Sequence, residues 1–271
     1  MRLGLAIGAA VLGLACSDAI APASDAGNDR TGVVTPDGSA LPTDAAPRLL
    51  SHQDVMIPSI QLGILYVGDL DAGAAPSQDV DLNWVVGSPY WLLLDEYGVG
   101  NGAVAASARL PTASFFQSGD LDPNGLVEMV VLQARLLAAL HGDSDAGTTS
   151  TVTLPGANAI VVYLPDGINV ALGHKGSYTY QTCIDSDGYH AYDGIEPYAV
   201  LPPCQVGRTL YAAAHELAEM ATDPQPYIGW ASDVDVPVNG GEVADLCAEQ
   251  TFTYGLWLTR LWSNQAGGCV P

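Results

Sequence analysis

The residues best suited to chemistry lie in the segment His215-Glu216-Leu217-Ala218-Glu219. On a helix, side chains four positions apart project from one face, one turn apart. His215 and Glu219 can therefore bind one divalent ion through an imidazole nitrogen and a carboxylate oxygen. Glu216 projects beside them, where it can accept a proton from a water molecule. The spacing predicts a metal site with an adjacent general base.

The same spacing occurs in H-E-x-x-H metallopeptidases, where the glutamate after the first histidine is the general base. Glu219 stands at the place of their second histidine. Glutamate is rare in this chain, with 7 Glu against 23 Asp, and three of the seven stand at 216, 219 and 242. The alternative is an ordinary polar helix face. Because the segment is otherwise apolar, and buried carboxylates are usually paired or metal-bound, we expect a metal site.

A catalytic zinc site needs a third protein ligand. Glu242 is the first candidate, because the pattern is similar to that of gluzincin peptidases, in which a glutamate on a second helix completes the site. In those enzymes an aspartate one turn later supports a ligating histidine, and Asp245 stands at that place. Asp223 is the rival third ligand. Alternatively, Asp223 only closes the helix end in a Thr-Asp-Pro turn.

Several segments together resemble the Exordium or phosphate-induced protein family of plants and its bacterial relatives. They are HELAEMATDP with the following Gly229-Trp230, GEVADLC, and GYHAY between Cys183 and Cys204. The likeness is dense from about residue 183 to 250 and weak before that. It implies a secreted or wall-associated protein with a zincin-type H-E-x-x-E motif, and it leaves enzymatic activity open.

His190, in the segment GYHAY, has two interpretations. It can act at the site, by binding the metal or by stabilising an oxyanion. Alternatively, it is a packed histidine between two tyrosines.

The N-terminus has the pattern of an export signal. Arg2 precedes an apolar run, 3–15, that is too short to span a bilayer as a helix. The run ends in LGLAC, which resembles the lipobox of bacterial lipoproteins with Cys16 as the lipidated residue, and which also suits ordinary signal peptidase. We predict a signal peptide at 1–16, a disordered linker at 17–50 and the folded domain at 51–271.

The remaining cysteines and the net charge restrict location and partners. An even number of cysteines in an exported chain suggests two disulfides, and of the three pairings proximity favours Cys183–Cys204 and Cys247–Cys269. The formal net charge of −22 disfavours nucleic acid and anionic membrane surfaces as partners. We expect an extracytoplasmic monomer that meets a membrane only through a lipid anchor at Cys16.

The apolar pattern predicts strands at 60–67, 81–86, 159–164, 169–172 and 178–183, helices at 122–140 and 206–221, the start of a helix at 89–97, and a loop at 142–150. Because the strands and helices do not alternate regularly, the expected fold class is α+β. With the H-E-x-x-E motif on the last helix, we predict a single zincin-like domain in which a mixed sheet packs on the active-site helix.

The function expected from these residues is that of a secreted or lipid-anchored metal-dependent hydrolase. The leading prediction is a zinc peptidase in which Glu216 is the general base on a metal-bound water, with a peptide or cell-wall substrate. Carboxylate-rich ligation also admits manganese or iron. The alternative is a non-catalytic extracellular surface protein with a structural metal, which binds cell-wall polysaccharide or a protein partner.

Overall fold

A computed structural model describes residues 47–68, 74–142, 150–205, 207–226, 228–232, 241–248, 250–253 and 256–271. The predicted signal peptide, nearly all of the predicted linker and most of the predicted loop at 142–150 lie outside these residues. The described residues all belong to one unit, Pro42–Pro271. Among them, no helix combines the length and the apolar character needed to cross a membrane.

The strands are β1 (Leu49–Ser51), β2 (Ser59–Val67), β3 (Gly100–Leu110), β4 (Leu126–Glu128), β5 (Ala159–Tyr163), β6 (Asn169–Lys175), β7 (Tyr178–Gln181), β8 (Tyr189–Tyr192), β9 (Pro197–Leu201), β10 (Trp230–Ser232), β11 (Thr251–Thr253), β12 (Trp257–Thr259), β13 (Leu261–Ser263) and β14 (Gly268–Val270). The helices are α1 (Ala74–Gly87), α2 (Thr112–Phe115), α3 (Met129–His141) and α4 (Thr209–Thr222), with 3-10 helices at Trp91–Tyr97 and Asp245–Cys247. This mixture of helices and strands agrees with the α+β class.

The central sheet has the strand order β3-β2-β5-β9-β8. The first four strands run parallel, and β8 pairs antiparallel with β9 at the edge. Alternate residues of β2 enter different cores, with Leu62 and Ile64 on the side of α1 and α4 and Leu65 and Val67 on the side of α3. Because both faces are covered, the strand is apolar almost throughout, as the run IQLGILYV indicates.

Smaller antiparallel or mixed sheets surround the central one. The strands β4, β6 and β7 form one of them, and β1-β10, β11-β12 and β13-β14 form two-stranded pairs. In the β1-β10 pair, Leu49 lies opposite Ser232 and is fully buried. Leu49 and Leu50, which the prediction assigns to the linker, therefore belong to a strand that pairs with β10.

Two predicted elements differ in the structure. Residues 81–86, predicted as a strand, belong to α1, where Leu82, Val85 and Val86 are buried at the i, i+3 and i+4 spacing of a helix face. The helix predicted at 122–140 begins only at Met129. Oδ1 of Asp122 instead accepts the N–H groups of Asn124 and Leu126, both at 2.8 Å, and closes a turn before β4.

The other predictions agree more closely. The strand predictions at 60–67, 159–164, 169–172 and 178–183 correspond to β2, β5, β6 and β7, and the last predicted helix corresponds to α4. The segment 89–97 contains a 3-10 helix. Strand β3 was not predicted, because its residues are mostly Gly, Ala and Ser, which have low strand propensity. The disulfides Cys183–Cys204 and Cys247–Cys269 confirm the pairing favoured by sequence proximity.

Candidate metal centre

Helix α4 carries three of the functional side chains. Its sequence TLYAAAHELAEMAT is rich in strong helix formers, and nearly all of its residues are buried against the sheet and neighbouring helices. Glu216 and Glu219 are 7% and 3% exposed, so both carboxylates are inside the protein. The helix ends at Thr222 with Asp223 as its C-cap, because the following Pro224 disfavours helical backbone at Asp223.

His190 reaches the same region from the edge strand β8. It lies directly opposite Ala199 of β9, whose side chain belongs to the core on the side of α4. Directly opposed residues of an antiparallel pair project from the same face of a sheet, so His190 faces α4. Tyr189, one position earlier, packs into the core on the opposite side.

The segment 241–248 supplies the third side of the site. Val243, Ala244 and Cys247 are fully buried in the core that contains α4. The backbone N–H of Leu246 donates to the carbonyl oxygen of Glu242 at 3.1 Å, so the segment turns tightly. This turn directs Glu242 toward His190 and Asp245 toward His215.

His215 faces two carboxylates. Its Nε2 lies 3.1 Å from Oε1 of Glu219 and 3.4 Å from Oδ1 of Asp245. The backbone N–H of Asp245 donates to the same Oε1 at 3.0 Å, so the segment 241–248 fixes the position of the Glu219 carboxylate. Nδ1 of His215 is buried and has no hydrogen-bond partner.

His190 lies between three further carboxylate oxygens. Its Nδ1 is 3.5 Å from Oε2 of Glu216 and 3.6 Å from Oε2 of Glu219. Its Nε2 is 3.4 Å from Oε1 of Glu242. Both of these last atoms are buried, and neither makes a hydrogen bond. The side chain of His190 is only 5% exposed, so solvent offers it little compensation.

The spacing of these atoms fits ligands of a divalent ion. Ligands about 2.0–2.1 Å from a tetrahedral zinc are about 3.3 Å from one another. The nitrogen–oxygen distances in the site, 3.1 to 3.6 Å, are close to that value. Two groups offer three ligand atoms within 4.8 Å of one another: His190 with Glu219 and Glu242, and His215 with Glu216 and Glu219.

The electrostatics of the site also favour a cation. Burial opposes the charge of His190, but the carboxylates, Glu242 foremost, raise its pKa well above the ordinary value. Burial likewise opposes the charge of His215, and Glu219 and Asp245 raise its pKa well above the ordinary value. Burial and the nearby Asp245 raise the pKa of Glu219. Four carboxylates around two buried histidines therefore make the site favourable for positive charge.

The structure brings together six of the seven residues singled out from the sequence: His190, His215, Glu216, Glu219, Glu242 and Asp245. Asp223 is used differently. Its Oδ1 accepts the backbone N–H groups of Gly229 at 2.7 Å and Ile228 at 3.2 Å. We therefore assign Asp223 to the closure of the helix end.

Sequence reasoning missed the contribution of Gly188. A Cβ atom at this position would lie 3.0 Å from the carbonyl oxygen of Val200 and 3.2 Å from Cγ of Glu216. A glycine therefore allows the start of β8 to approach the Glu216 side chain closely. The signal available in the sequence was the glycine directly before Tyr189-His190.

No protein-family model matches the chain, and a search of curated proteins gives no match. The resemblance to the Exordium family therefore stays a prediction. The case for a function rests on the geometry of the site.

Proposed function

We propose that the protein is an extracytoplasmic metal-dependent hydrolase, and specifically a zinc peptidase with a zincin-like domain. The observation that carries the proposal is the convergence of two histidines and four carboxylates from α4, β8 and the segment 241–248. All ion pairs described for these carboxylates are with the two histidines. Two buried atoms that face each other, Nε2 of His190 and Oε1 of Glu242, lack hydrogen bonds.

His215 and Glu219 would hold the ion from the helix. Asp245 approaches the same ring nitrogen of His215 as Glu219 does, so it can supply a further oxygen. Glu242 lies nearer to His190 and would supply a ligand oxygen on that side of the site. A divalent ion bound here would polarise a carbonyl group and lower the pKa of water.

Glu216 has the position expected of a general base. It stands between His215 and the start of β8, and its carboxylate is 3.5 Å from Nδ1 of His190. In peptide hydrolysis it would accept the proton of the attacking water and pass that proton to the leaving amine. His190 would then hold Glu216 in place, and it can stabilise negative charge that develops near the site.

Other features support the location. The two disulfides are typical of proteins outside the cytosol. The predicted export signal at 1–16, the predicted lipid anchor at Cys16 and the Exordium resemblance are parts of the same proposal.

One observation favours the second candidate function, a non-catalytic surface protein with a structural metal. Structural zinc sites are closed, whereas catalytic ones keep an open position. This site is largely closed, because even its most exposed side chains, His215 and Asp245, are only 14% and 17% exposed. Any substrate would have to approach from this side.

Hydrolysis by the metal-loaded chain tests the proposal. The full-length protein, reconstituted with Zn²⁺ or Mn²⁺, is incubated with denatured casein and a mixed peptide library. We expect cleavage that a chelator abolishes and that Glu216→Gln lowers at least ~100-fold with metal retained. Glu128→Gln is the matched control, because Glu128 also pairs with a histidine, His174, but is 50% exposed. Bound metal without any cleavage, in wild type and both variants, would support the structural alternative.

A further inference from the structure

The two groups of ligand atoms overlap in one residue only. Glu219 belongs to both, whereas His190 and His215 belong to different groups. The two oxygens of Glu219 also point in different directions, with Oε1 toward Nε2 of His215 and Oε2 toward Nδ1 of His190. This is the arrangement of a carboxylate that bridges two positive centres.

The charge of the site leads to the same result. Glu216, Glu219, Glu242 and Asp245 together carry a charge of −4 when ionised, and two neutral histidines add nothing. One divalent ion would leave about −2 with both histidines neutral, or about −1 with the second histidine protonated, in a mostly buried cluster, which is costly. Two divalent ions would neutralise the cluster.

His190 has the environment of a ligand in its own right. Its side chain is 5% exposed, against 4% for Glu219 and 14% for His215, and both of its ring nitrogens face carboxylates. Nε2 can bind an ion together with Glu242, while Nδ1 donates to Glu216, which is how ligating histidines are usually oriented. The 3.4 Å contact between Nε2 of His190 and Oε1 of Glu242 leaves both atoms without a well-formed hydrogen bond.

We infer that the site binds two divalent ions bridged by Glu219, one with His215 and the other with His190 and Glu242. In two-metal sites the two metal ions are about 3.5–4 Å apart. Together they can stabilise both the attacking and the leaving oxygen of a displacement reaction. The inference rests on the proposed function, because it concerns the same site. It goes beyond that function by specifying how many ions are bound and which residue joins them.

The test is the number of Mn²⁺ ions that the full-length chain binds at saturation, measured by mass spectrometry after gel filtration in buffer with free Mn²⁺. We expect two per chain. One per chain would overturn the two-ion inference and leave the proposed metal site standing. None would overturn both.

Variants and spectroscopy make the test residue-specific. His190→Ala and His215→Ala should each bind one ion, and His174→Ala, at an exposed His–Glu pair, should bind two. Cooperative thermal unfolding checks that each variant is folded. Two ions retained by folded His190→Ala would overturn the assignment. Independently of any variant, the doubly loaded wild type should give the electron paramagnetic resonance spectrum of a coupled Mn²⁺ pair, and a spectrum of isolated ions would overturn the bridge.

Discussion

Nε2 of His190 lies 3.4 Å from Oε1 of Glu242, and both atoms are buried without a hydrogen bond. A buried polar atom that makes no hydrogen bond costs about 1–3 kcal/mol. The two residues come from distant parts of the chain, the edge strand β8 and the turn before the 3-10 helix Asp245–Cys247. A fold that keeps them at this distance gains stability when a cation binds both.

Asp223 provides a test of which aspartate binds metal. It is fully buried, and its Oδ1 accepts the N–H groups of Gly229 and Ile228. Asp223→Ala would leave both donors without that acceptor, so we expect a loss of about 1–3 kcal/mol in the free energy of unfolding, with metal content unchanged. Urea unfolding and metal analysis measure the two quantities.

Asp122→Ala is the matched control for this variant. Asp122 also accepts two backbone N–H groups, but at an exposed turn, so its loss should cost less. Loss of metal from folded Asp223→Ala would return Asp223 to the ligand set.

The two disulfides brace the two segments that face α4. Cys183–Cys204 encloses β8 with His190, and Cys247 follows directly after the Asp245 turn. Their sequence separations are 21 and 22, so loop-closure entropy predicts similar losses of about 3 kcal/mol for removing either one. Replacement of each pair by Ala, followed by urea unfolding, measures this.

The two disulfides should differ in their effect on metal binding. We expect Cys183→Ala with Cys204→Ala to weaken Mn²⁺ binding mainly at the His190 ligands, because β8 is an edge strand with one partner. Equal stability and Mn²⁺ binding in this variant and the wild type would show that the β8–β9 pairing alone holds His190.

The Arg135–Asp120 ion pair predicts a pH dependence of stability. Nε and Nη2 of Arg135 donate to the two oxygens of Asp120 at 2.7 and 2.8 Å. The Arg135 hydrogen bond, helped by the N–H of Gln117, lowers the pKa of Asp120 in the folded state. A lowered folded-state pKa stabilises the protein above the unfolded-state pKa of about 3.9, and this contribution is lost as the pH falls through the folded-state value.

Asp120→Asn should therefore lower the melting temperature at pH 7, and the difference from wild type should shrink as the pH falls below about 4. Thermal unfolding of both proteins across this range is the measurement. A difference that stays constant down to the lowest accessible pH would contradict the ion-pair account.

Local patterns in the sequence predicted the elements whose residues are buried almost throughout. The run IQLGILYV and the Ala-rich helix around His215 are such elements, and the structure has β2 and α4 there. The segment 81–86 was misassigned because a short run of Leu, Trp and Val fits a strand and a helix alike. Only packing against β3 and α4 decides between them, and that packing is a long-range property.

The candidate site was predictable residue by residue, but its assembly was not. The motif on α4 indicates His215, Glu216 and Glu219 directly, because the helix itself sets their spacing. The position of His190 depends on the register of β8 against β9, where it faces Ala199. No local pattern encodes that register, so the sequence left the role of His190 open.

The most direct test of the central claim is the metal content of the purified full-length chain, before and after reconstitution with Zn²⁺ or Mn²⁺. The account predicts at least one ion per chain in the wild type and in His174→Ala, one ion fewer in His215→Ala, and loss of the metal in Glu219→Ala. A wild-type chain that is folded, with both disulfides formed, and binds no stoichiometric metal after reconstitution would contradict the account.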